Sequence, residues 1–68
     1  RPLNRYRILW TDLEQNRFYR ALTYNSAQRL ARMRTRLNTN PKDLATEETI
    51  LNHAKKQAQR TNQRINDL

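Results

Sequence analysis

Residues 5–23, RYRILWTDLEQNRFYRALT, decide the fold, because they can be read either as two strands or as the start of a long helix. In RYRILWT (5–11) an extended backbone places Tyr6, Ile8 and Trp10 on one face and Arg5, Arg7, Leu9 and Thr11 on the other, the alternation of a half-buried strand. RFYRALT (17–23) repeats the pattern more weakly, with Phe18 and Leu22 sharing a face with Arg20 while Tyr19 and Ala21 lie opposite. Between them DLEQN supplies Asp12 and Asn16, residues that favour turns. Asn16 is able to take a left-handed conformation in a chain without glycine. A hairpin would then set Trp10 across from Phe18, Ile8 from Arg20 and Tyr6 from Leu22. The rival reading starts at TDLE (11–14), which fits a helix capping box and would run on through QNRFYRAL. That helix needs Leu13, Arg17 and Ala21 on its buried stripe, a poor apolar face, so the hairpin is the preferred expectation.

The chain downstream reads as helix. In YNSAQRLARMRTRLN (24–38), Asn25 or Ser26 can cap a helix carrying Ala27, Leu30, Met33 or Arg34, and Leu37 at helical spacing. Pro41 disfavours helical geometry at Asn40 and suits the first position of a new helix. From there nothing interrupts a second, longer helix. Asp43, Glu47 and Glu48 stand near its start and Lys55, Lys56, Arg60 and Arg64 follow, the order the helix dipole favours. Its seven-residue columns, Leu44, Leu51, Ala58, Ile65 and Glu47, Ala54, Thr61, Leu68, make a narrow seam that is only half apolar. The expected fold is therefore α+β: one small domain over 1–68, with a two-stranded antiparallel β-hairpin at about 5–23. A helix at about 26–38, a linker at 39–41 and a longer helix at about 42–66 complete it.

Composition sets limits on what such a domain can do. Apolar and aromatic residues make up only 35% of the chain and there is no valine, so any core is small and marginal. With no cysteine and one histidine, neither disulfides nor a metal can staple it, and order is expected to depend on an oligomer or a larger assembly. No apolar run approaches a membrane span and no leader pattern is present. The expected setting is intracellular and soluble, or the inside of an assembled particle.

Catalysis has nothing to build on. His53 stands without a second histidine or a cysteine, Asp12 and Glu14 sit in a presumptive turn, and the lack of glycine rules out a glycine-rich phosphate loop. No enzyme, metal or cofactor is expected. The charge is more informative: fourteen basic residues against six acidic give +8, eleven of the fourteen are arginine, and residues 1–40 hold +7 of the excess. Arginine forms planar, bidentate contacts to phosphates and carboxylates and tolerates partial desolvation. Arg29, Arg32 and Arg36, at i, i+3 and i+7, would form a guanidinium row beside Leu30, Met33 and Leu37. Arg5, Arg7 and Arg17 could extend it, and Tyr19 could add a stacking platform.

The leading expectation is thus a non-catalytic accessory protein that contacts the backbone of DNA or RNA, without implied sequence specificity. The alternative is a structural or accessory subunit of a virion, ribonucleoprotein or multisubunit complex. There its basic face would meet an acidic protein surface, and the second helix would dock through Leu51, Ala58 and Ile65.

Overall fold

A computed structural model describes the backbone of residues 2–67 and the side chains of residues 9–67. The described residues form two helices and no strand: α1 spans Pro2–Thr35 and α2 spans Pro41–Asp67. They lie antiparallel, since Ser26 meets Glu47 near the connection while Asn16 meets Thr61 farther along. The result is a rod of 55 × 14 × 13 Å. Its radius of gyration is 15.7 Å, against about 11 Å for a compact chain of this length.

The expected β-hairpin over 5–23 is replaced by uninterrupted helix, and the fold is a helical hairpin instead of α+β. The cause is visible between Leu3 and Thr35, where neither glycine nor proline occurs and no residue takes a positive φ. Nothing in that span breaks a helix. Leu9, Asp12, Asn16, Tyr19, Thr23, Ser26, Leu30 and Met33 recur at alternating spacings of three and four, and all are buried or half-buried. This is a continuous helical seam, with half of its positions polar. Asn16 is no turn residue, and Ser26 is no helix cap but lies fully buried in mid-helix. The Tyr6 and Ile8 side chains, two of the inward residues of the expected first strand, lie outside those described.

Facing this seam, α2 presents Leu44, Glu47, Leu51, Ala54, Ala58, Thr61 and Ile65, again at three and four. Among the described residues two apolar ones, Leu30 and Ala54, are buried, against five polar ones: Asp12, Asn16, Ser26, Glu47 and Thr61. Such burial is tolerable only where hydrogen bonds are made. The Asn16 amide donates to Thr61 Oγ1 at 2.9 Å, Asn62 Oδ1 at 2.7 Å and the Ala58 carbonyl at 3.2 Å. Thr61 in turn donates to the carbonyls of Gln57 and Ala58 in its own helix. Ser26 Oγ donates to Glu47 Oε1 at 2.8 Å, and Arg29 Nε approaches the same oxygen at 3.2 Å. Asp12 is matched by Arg64 at 3.4 Å through Oδ1, while its Oδ2 has no hydrogen-bond partner.

The connection, residues 36–40, ends α1 without glycine. Thr35 and Thr39 hydroxyls donate to the carbonyls of Arg32 and Met33, and the Arg36 amide closes a tight turn onto Met33. Orphan carbonyls of the last turn are thereby satisfied by side chains, the role a left-handed glycine often plays. Asn40 then caps α2: its Oδ1 accepts from the Lys42 amide at 2.9 Å, with Pro41 at the first helical position.

Candidate functional site

The hairpin buries several polar residues between its helices and leaves several aromatic ones in solvent. Trp10 is 64% exposed and Tyr24 65%, and Leu13 and Phe18 also face solvent. On α1 the sequence Trp10, Leu13, Arg17, Arg20, Tyr24, Ala27 continues through Ala31 to Arg34 at spacings of three and four. Every one of these residues is exposed. It is a second seam, offset from the α2-facing one by about 100° of helix rotation, and five of its eight positions are apolar.

Three shallow clefts run together along this flank. The first is lined by Trp10, Leu13, Glu14, Asn16, Arg17 and Arg20. The second shares Arg20 and adds Tyr24, Lys55 and Gln59. The third shares Lys55 and reaches Arg34, Glu48 and Leu51. The open side of α1 and the adjoining edge of α2 thus form one surface, apolar and aromatic from Trp10 to Tyr24, polar beyond it around Arg34, Glu48 and Asn52, and basic at Arg17, Arg20 and Lys55.

The arginines expected to make one phosphate-facing row are divided. Relative to the α2 seam, Arg17 lies on the flank just described, whereas Arg29 and Arg32 lie on the other. Arg29 is committed to Glu47, and Arg36 stands in the connection beyond the end of α1. Arg32 and Arg36 are exposed and have no carboxylate within 4.0 Å among the described residues. Tyr19 is half-buried, its ring edge-on to Phe18 at 5.2 Å and to His53 at 6.2 Å. The Arg5 and Arg7 side chains lie outside those described. Leu51, Ala58 and Ile65, expected to dock a partner, sit half-buried in the seam against α1.

Among the described residues no three His, Cys, Asp or Glu side chains converge on a point that could hold a metal ion. No helix among them is long and apolar enough to cross a membrane. Sequence reasoning missed the Trp10–Arg34 stripe because Trp10 was placed on the apolar face of a strand. The spacing of Trp10, Leu13, Arg17, Arg20 and Tyr24 was the signal that could have revealed it. Compared with protein-family models, curated proteins and solved structures, the chain finds no match.

Proposed function

We propose that this chain is a non-catalytic docking module: a helical hairpin that takes its place in a larger assembly by packing the open flank of α1 against a partner. The observation that carries this reading is the inverted distribution of side chains. Asp12, Asn16, Ser26, Glu47 and Thr61 are enclosed between the helices while Trp10, Leu13 and Tyr24 are left in water. A helix pair with five polar residues buried in its seam gains less from excluding water than one with an apolar seam, and exposed apolar side chains that could add to its stability lie on its outside.

Surface area supports the same reading. A compact monomer of 8.3 kDa exposes about 4,600 Å². The hairpin exposes 5935 Å², an excess of about 1,300 Å² over that compact value, more than the roughly 800 Å² each partner buries in a standard interface.

A second reading is contact with a nucleic-acid backbone through the other flank, favoured by the exposed, unmatched guanidinium groups of Arg32 and Arg36. Binding of the intact chain to duplex DNA, single-stranded DNA and RNA across a salt series separates the two. Under the docking reading affinity is weak and lost at moderate salt. Submicromolar affinity with a log–log slope near about −5, equivalent to some six phosphates on duplex DNA, would overturn it in favour of nucleic acid.

A further inference from the structure

We propose that the open flank of α1 takes an acidic amphipathic helix, whose apolar stripe covers Trp10, Leu13 and Tyr24 and whose carboxylates pair with Arg17 and Arg20. This rests on the docking reading above and names the chemistry of the partner.

The spacing of the stripe fits a helix. Residues alternating by three and four are the pattern by which one α-helix seats another, and Trp10 to Arg34 extends about 36 Å along the axis. Ala27 and Ala31 let a second backbone approach closely at the end nearer the connection, while Trp10 and Tyr24 supply bulk at the other. Trp, Tyr and Arg are the residue types that dominate the energetics of protein interfaces, and all three stand on this flank.

The arginines select the sign of the partner. Arg17 and Arg20 lie in the middle of the stripe, so a seated helix takes both partly out of water, which is favourable only if carboxylates meet them. Within the clefts beside them this chain offers one acid, Glu14, against Arg17, Arg20 and Lys55. A second copy is a poor occupant for the same reason, since it would bring a further +8 and set arginine against arginine. A single nucleic-acid strand fits less well. Successive bases stack on neighbouring aromatics, whereas Trp10 and Tyr24 are about 21 Å apart along the helix with aliphatic and arginine side chains between them.

Trp10 is the chain's one tryptophan and reports directly on the flank. The intact chain is titrated with a four-heptad synthetic helix carrying Leu at its seam and Glu beside it, with the same helix carrying Lys in place of Glu, and with single-stranded RNA. The expected result is a blue shift of Trp10 emission with the Glu helix only, weakened by salt. Arg17→Gln with Arg20→Gln should reduce that affinity by roughly 30-fold or more, and Arg32→Gln with Arg36→Gln, on the other flank and the connection, should leave it unchanged. Equal binding of the Glu and Lys helices would overturn the acidic partner while leaving the docking reading in place. A shift that grows with the chain's own concentration, before any peptide is added, would make a second copy the occupant. Response to RNA with none to either helix would overturn the docking reading as well, and silence with all three would overturn the proposal.

Discussion

Replacing Asn16 with alanine tests whether the two helices are held by the polar layer at the middle of their seam. The Asn16 amide carries two protons and has three acceptors on α2 within 3.2 Å, in a site only 5% exposed. Each hydrogen bond of this kind contributes a net ~1 kcal/mol, so losing both protons removes about 2 kcal/mol. Alanine returns roughly 0.6 kcal/mol through its higher helix propensity. Thr61 is not orphaned by the change, because its hydroxyl keeps the carbonyls of Gln57 and Ala58. The net loss of about 1.5 kcal/mol corresponds to a midpoint lower by roughly 6–12 °C for a domain of this size, read by far-ultraviolet circular dichroism. Asn16→Leu, by contrast, buries an apolar side chain against Ala58 and Thr61 and should melt at or above the parent, while losing one of the polar contacts that fix the helices in register. A drop of under about 2 °C for alanine, or an equal drop for leucine and alanine, would refute the assignment of this layer.

Other positions carry separate expectations. Asn40→Ala removes the cap of α2 and should cost ~1 kcal/mol, visible as faster amide exchange in the first turn of that helix. Ala58→Leu overfills a half-buried position in the seam and should destabilise the hairpin by about 1–3 kcal/mol in chemical denaturation, even with no partner present. Arg34→Gln breaks a bridge to Glu48 whose two ends are mostly exposed, so stability should change by under ~1 kcal/mol. The triple change of Arg29, Arg32 and Arg36 to Gln should leave binding of an acidic helix on the Trp10 flank intact. If nucleic acid is the partner instead, it should flatten the salt dependence of that binding.

Much of α2 was readable in advance because its signals are local. Pro41 punctuates its start, acids precede bases along it, and its two seven-residue columns, Leu44 to Ile65 and Glu47 to Thr61, are the residues that face α1. The same reading failed on α1 because it assumed an apolar interior. Asn16 was assigned to a turn on its intrinsic preference, whereas its amide is spent on acceptors in α2, forty-five positions away at Thr61. No local rule announces such a partner. The continuous seam from Leu9 to Met33 becomes legible only once Asp12, Asn16, Thr23 and Ser26 are allowed inside. The docking flank was hidden by the same assumption, since Trp10, once assigned to a core, was not free to be surface. The pairing of Arg29 with Glu47 was not legible for a different reason: it requires the hairpin to have closed.

The short connection at residues 36–40 gives the molecule the topology of a zipper. Rungs close outward from it, with Ser26 and Glu47 separated by 21 positions and Asn16 and Thr61 by 45. The chain freedom lost on joining distant partners grows with that separation. The Asp12–Arg64 rung at the far end is therefore the last to form and the first to part. Trp10 and Leu13 stand beside that rung, so whatever settles on them also latches the open end. An event at one tip of the rod is then felt as a change in how long the whole hairpin stays shut.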